Sequence, residues 1–211
     1  MTFAVRETHR VRTIAGASEA EVVATFLRGE LESERWGERL RALLRDDGVD
    51  VSVLAQPNLD DEHQNAYRAS ILDRHRAWLR REGLFQGFPR DVEWARVGLA
   101  PDEVLAIRYI NWDWWLRVSG GTRRPLDAAR RIRAGEVPGG DAASDEPIAA
   151  RLRSNDPPPE LIAVSMPGGS ELVLVEGHVR LTAYALFPEY LPGELHILLG
   201  TSPEMDGWTE F

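Results

Sequence analysis

Apolar residues recur at helical spacing through the first half of the chain and collect into short strand-length runs in the last third. Thr2 to Ile14 reads as a short basic strand or extended arm. Ser18-Glu19-Ala20-Glu21 has the spacing of a capping box, and Val22, Val23, Phe26 and Leu27 continue it as one apolar stripe, which predicts a first helix. Trp36, Leu40, Leu43 and Leu44 mark a second over roughly Glu34 to Arg45, stopped by Asp46-Asp47-Gly48. Val49 to Leu54 alternates with period two and predicts a half-buried strand. The acids Asp60, Asp61 and Glu62 open a helix running to about Arg81, with Gly83 as its terminator. From Pro101 to Val118 the chain is apolar on nearly all sides, which predicts a central buried helix with Trp112, Trp114 and Trp115 in the core. On it, Asn111 and Asp113 either complete buried hydrogen bonds, Asp113 with Arg117, or face a pocket.

Ser119-Gly120-Gly121-Thr122 breaks that helix, and Pro125 starts another that ends near Gly135. Glu136 to Pro147, rich in Gly, Pro, Asp and Ala, predicts a mobile linker. Beyond it, Leu161 to Met166 and Glu171 to Val175 predict two strands around a Pro-Gly-Gly turn, and Glu194 to Leu199 a third. The expected fold is α+β: a helix-rich region over 1–135, a linker over 136–147, and an α/β unit over 148–211 holding a small mixed sheet, packed with 1–135 as one domain.

At 211 residues with 43 % hydrophobic and 28 % charged positions, the balance is that of a globular protein with one sizeable core. No apolar stretch has transmembrane length and Met1 to Arg6 lacks the apolar core of a signal peptide, so membrane residence is not expected and the cytoplasm is the expected location. The chain has no cysteine, which removes disulfides, thiolate nucleophiles and cysteine-ligated metals. All 25 residues counted as Lys+Arg are arginine, which excludes a P-loop lysine, a Schiff base and a lysine nucleophile. The net charge of −9 opposes DNA binding. Against it stands a run of Arg117, Arg123, Arg124, Arg130, Arg131 and Arg133 with the single acid Asp127, which is either a paired helix face or a seat for an acidic substrate group held by Arg123 and Arg124.

The strongest chemical signal is Glu176-Gly177-His178-Val179-Arg180, directly after the apolar run Leu172 to Val175. It reads as strand, glycine turn and helix start, where the free N–H groups of the first helical turn converge on an anion. His178 and Arg180 sit where the helix dipole disfavours positive charge by about 0.3–1 kcal/mol, a penalty that a bound anion reverses. The alternative is that Arg180 pairs with Glu176 or reaches solvent. If the flanking strands pair in parallel through a crossover, Thr201 and Ser202 face Gly177 across a crevice, with Thr182 on the same helix. Trp208, in a polar tail, is either a base-stacking lid or a docked anchor.

Over about Leu161 to Gly200 the segment resembles the strand-turn-helix box of the ParB N-terminal domain and sulfiredoxin superfamily, which includes free serine kinases. There a glycine, two variable positions, an arginine and a nearby alanine grip nucleotide phosphates, matched here by Gly177, Arg180 and Ala183. His178 stands where sulfiredoxins carry their reactive cysteine, which rules out their chemistry, and Val179 stands where a histidine is usual. The resemblance implies a nucleotide-dependent small-molecule enzyme, a phosphotransferase or nucleotide hydrolase using ATP or another nucleotide with Mg2+. In it Gly177, Arg180, Thr182, Thr201 and Ser202 bind phosphate, His178 and Glu176 act in catalysis, and Glu176 contacts the metal; Arg123, Arg124, Asp113 and Trp208 hold the substrate. The competing expectation is a nucleotide-sensing or protein-interaction module of ParB-like type, without turnover.

Overall fold

One mixed sheet takes strands from both ends of the chain. In the computed structural model, which describes residues 11–139, 142–169 and 171–211, β1 (Arg12–Gly16), β2 (Glu93–Leu99), β3 (Leu161–Ser165), β4 (Val173–Glu176) and β5 (Leu195–Thr201) lie in the order β1-β2-β5-β3-β4. The β3–β5 pair is parallel and every other neighbouring pair is antiparallel. β3 and the centre of β5 are apolar on both faces, as strand segments covered on both sides must be. Leu161, Ala163, Leu174, Ile197 and Leu199 enter one core; Ile162, Val164, Val173, Val175 and Leu198 enter the other.

Helices α1 (Glu19–Glu32), α2 (Gly37–Asp46), α3 (Ser52–Ala55) and α4 (Glu62–Arg76) cover the second of these faces. The first is covered by α5 (Pro101–Ala106), α6 (Asp113–Ser119), α7 (Pro125–Arg133), α8 (Ala142–Ala150) and α9 (His178–Leu186). The result is an α+β architecture of three layers, helix-rich before β3, with both cores built against one sheet. Ser18 caps α1 by accepting from the Glu21 N–H at 3.2 Å, and Asp61 caps α4 by accepting from the N–H groups of His63 and Gln64. Among the described residues no helix is long and apolar enough to cross a membrane.

Four sequence expectations are corrected. The alternating stretch Val49 to Leu54 is not a strand: Asp50 accepts from the Ser52 N–H at 2.8 Å, the chain turns, and α3 follows with Leu54 buried. The helix of residues 60–81 stops early, at Ala77 in a left-handed conformation with φ 61°. The expected single helix from Pro101 to Val118 is two, because Arg108 exchanges hydrogen bonds with Leu172 and Leu174 at 2.8 Å each and so draws the intervening segment along the open edge of β4. Trp112 and Trp114 therefore face outward, 44 % and 43 % exposed, and Trp115 is half-buried. In the expected linker over 136–147, α8 begins at Ala142. Of the expected N-terminal arm, residues 1–10 lie outside the described residues, as do Gly140 and Asp141.

Candidate functional site

The turn between β4 and α9 has the predicted strand, glycine and helix order. Gly177 adopts φ +104°, which disfavours any side chain, and a Cβ there would collide with the Leu161 side chain. The close approach that requires glycine is thus made by the protein's own core. Upstream, Ile162 pairs with Glu176 while Ala163 pairs with Leu174, so Val175 is an extra residue in β4. A bulge re-aims the side chain that follows it. It sends Glu176 to the α1 face, where the absent side chain of Gly29 makes room: a Cβ at Gly29 would stand 2.7 Å from both Glu176 Oε1 and Arg180 Nη2.

Arg180 is committed within the fold. Its Nη2 donates to Glu176 Oε1 at 2.8 Å, and its Nη1 donates to the carbonyls of Pro159 and Glu160, just before β3. The two side chains are 10 % and 15 % exposed. Beside them, on the helical layer, buried Glu30 accepts from Arg76 and contacts His75 Nε2 at 3.2 Å, and Arg76 lies over the Trp36 ring at 3.9 Å. Burial pushes the Glu176 carboxyl up to about 7; Arg180 and Arg76 pull it down, and the Glu30 charge adds to the rise. Sequence reasoning missed Glu30, His75 and Arg76. The signal available was a charged Glu30 on the apolar face of α1, between Leu27 and Leu31.

His178 belongs to a different environment. Its ring stacks on Trp115 with centroids 4.9 Å apart, and Trp115 stacks in turn on Tyr109 at 4.7 Å. The Tyr109 hydroxyl donates to Thr182 Oγ1 at 2.7 Å, and Thr182 donates to the His178 carbonyl at 2.8 Å, so the aromatic layer is stitched to the first turn of α9. Burial and the charges of Arg180 and Arg76 press the imidazole down to about 3, so it is neutral at pH 7. Its Nε2 is buried with no hydrogen-bond partner among the described residues. Tyr109 and Trp115 are further residues that the sequence did not mark as part of this turn.

The remaining predicted residues disperse. β4 and β5 are not a parallel pair: β3 lies between them, antiparallel to β4 and parallel to β5. Glu176 aligns with the start of β3 and Thr201 with its end, Ser165. The crevice expected between Gly177 and Thr201-Ser202 does not form, because those residues lie at opposite ends of the strands, offset by roughly 13 Å along the strand direction at about 3.3 Å per residue, with β3 between them. Ser202 is buried, donating to Asp91 at 3.3 Å and accepting from the Glu204 N–H. Thr182 serves the Tyr109 bridge described above. Trp208 is an anchor, 2 % exposed, donating from Nε1 to the Leu84 carbonyl at 2.7 Å and packing edge-on against Phe88. Arg123 ties the carbonyls of Tyr109, Glu210 and Phe211 together, and burial lowers its pKa. Asp113 is an exposed first residue of α6 without the expected Arg117 ion pair, since Arg117 lies over Trp114 instead. Arg124 is exposed and has no ion-pair partner among the described residues.

Chemically, the turn offers a carboxyl that exchanges its proton near neutrality, a neutral imidazole with one free nitrogen, and the open end of a nine-residue helix. Glu176 alone would give a metal one ligand, and among the described residues no three acidic or histidine side chains are grouped to hold one. No family model, curated protein or solved structure matches the chain.

Proposed function

We propose that the chain is a binding module for a small phosphorylated ligand, a nucleotide by its resemblance to the ParB and sulfiredoxin superfamily, and that ligand phosphate competes with Glu176 for Arg180. The observation that carries this reading is the shared guanidinium of Arg180, held between a carboxylate and two carbonyls at the root of the glycine turn. A guanidinium is a planar fork that suits phosphate as well as carboxylate. Its exchange is made cheap by Glu176, whose carboxyl is already raised to about 7 with the cation beside it and is pushed higher, toward the neutral form, when it loses that cation. The displaced side chain lies against Gly29 and beside Glu30, so binding at the turn is felt by α1. His178 Nε2 and the first N–H groups of α9 supply further donors or acceptors for the ligand. Mg2+ would arrive with the ligand's phosphates and offset their charge.

A second reading, a phosphotransferase or nucleotide hydrolase, is favoured by the same carboxyl, because a group that titrates near neutrality suits general acid–base chemistry. Calorimetry with ATP, ADP, GTP and inorganic phosphate, each with and without Mg2+, tests the first reading on the wild type, Glu176→Gln and Arg180→Ala. The expected order is tightest in Glu176→Gln, where the competing charge is gone, and no binding in Arg180→Ala. Weaker binding in Glu176→Gln than in the wild type would refute competition for Arg180. Phosphate release by wild type that Glu176→Gln lacks, with binding retained, would establish the enzyme.

A further inference from the structure

A cavity lies away from the β4–α9 turn, between α6 and the segment that follows α7. It is a groove of about 650 Å3, lined by Leu116, Val118, Val137 and Pro138 together with Trp114. That volume is within the range of ligand-binding clefts, about 300–1,000 Å3. Its floor is open at Gly121, where a Cβ would meet nothing within 4 Å. Trp114 presents nearly half its surface to solvent, and Trp112 does the same at the start of the same helix. Exposed tryptophans beside arginines are the composition of interface centres, because both bury large surfaces while keeping one polar contact.

The charges along this groove are unequal. Arg117 lies over the Trp114 ring at 5.4 Å and has no ion-pair partner among the described residues. Arg131 donates to the Arg117 carbonyl at 2.8 Å and pairs with Glu136 at 3.0 Å, so Glu136 is already engaged. Among the described residues Arg117 is left over, in a chain whose net charge is −9, which makes the groove a local exception to the acidic balance. An occupant must fill an apolar floor and answer a free guanidinium poised beside an indole.

We propose that this groove docks an acidic segment of another protein through one apolar or aromatic side chain, with a carboxylate of that segment on Arg117 and the side chain against Trp114. The contact is peptide-like and polar at its rim, and it does not depend on the phosphate-binding reading of the turn. A test uses three fluorescein-labelled twelve-residue peptides, each with a central Phe-Leu pair flanked by aspartate and glutamate, by arginine, or by serine and glycine. Fluorescence anisotropy is read with the wild type, Trp114→Ala and Arg117→Glu, and circular dichroism melting checks that each variant folds as the wild type does.

The acidic peptide is expected to bind the wild type at least tenfold more tightly than the other two, and to lose at least tenfold in each variant. Arg117→Glu is expected to reverse the preference toward the arginine peptide, which separates pairing with a charge from simple burial. The proposal is overturned by the absence of binding up to 1 mM acidic peptide, or by binding that neither variant changes. It is overturned too if sedimentation shows a self-association that both variants abolish, for the occupant would then be a second copy of this chain.

Discussion

Glu176 and His178 stand two residues apart and titrate in opposite directions, so removing one exposes the other. Folding raises the Glu176 carboxyl from its ordinary 4.5 to about 7, so its contribution to stability is greatest below pH 4.5 and falls away as pH rises toward 7. Folding depresses the His178 imidazole from 6.5 to about 3, so its contribution is complete above pH 6.5 and falls away as pH drops toward 3. At about 1.36 kcal/mol per pH unit, Glu176 loses about 3 kcal/mol over the two units from pH 5 to 7, and His178 gains about 2 kcal/mol over the one and a half from pH 5 to 6.5. The wild type therefore changes little between pH 5 and 8 through these two groups. Glu176→Gln keeps only the histidine slope and should be about 2 kcal/mol more stable at pH 8 than at pH 5 through that group. His178→Phe keeps the stack on Trp115 and only the glutamate slope, and should be about 3 kcal/mol less stable at pH 8. Urea unfolding followed by circular dichroism at the two pH values reads these as midpoint shifts of about 1 M, given an m-value of about 2–3 kcal/mol/M. Slopes of the same sign in both variants would refute the assignment of opposite environments to the two sides of Gly177.

Three other substitutions probe the same architecture. Gly29→Ala gains about 1 kcal/mol of helix propensity, but its Cβ lands on the pinned Glu176–Arg180 pair, so a net loss of about 1–2 kcal/mol is expected in chemical denaturation, and a net gain would mean that the pair is free to move. Trp208→Ala should cost about 3–5 kcal/mol, since it empties a fully enclosed site and orphans the Leu84 carbonyl; a lid would instead leave thermal stability unchanged. Tyr109→Phe should cost about 1 kcal/mol, the net value of its bond to Thr182, while leaving the near-ultraviolet signal of the ring stack in place.

Local chemistry makes several elements readable from the sequence alone. The Ser18 cap, the strands around Pro167-Gly168-Gly169 and the strand-glycine-helix order at Gly177 all depend on neighbours within a few residues. What escapes the sequence is long-range. Glu93 to Leu99 becomes a strand because β5 and β1 pair along its two edges, and its own residues, with Arg96 bonded to Glu160 and Glu21, carry no clean alternation. The position of β3 between β4 and β5 cannot be read from loop length, since the intervening helix suits either arrangement. At the site, the Glu176–Arg180 pair is legible as one of two alternatives from its i,i+4 spacing. The second charge pair behind it is not, because Glu30 and Arg76 are 46 residues apart. Trp208 illustrates the limit from the other side: a tryptophan in a polar tail gives no hint that Phe88 and the Leu84 carbonyl await it.

The extra residue at Val175 makes the register of β4 against β3, rather than the identity of any side chain, the determinant of where Glu176 points. In a strand, a register shift of one residue inverts the facing of everything beyond it. Straightening β4 at unchanged length would set Val175 opposite Ile162, turn the carboxyl away from Gly29 toward the opposite core and strand Arg180 without its acid, although all the residues that form the pair would still be encoded. Deleting Val175 outright would close the bulge and leave Glu176 opposite Ile162, still on the Gly29 side. A descendant of this chain that kept Glu176 and Arg180 but lost the bulge at unchanged length would look intact in a residue-by-residue comparison and yet carry a different interior.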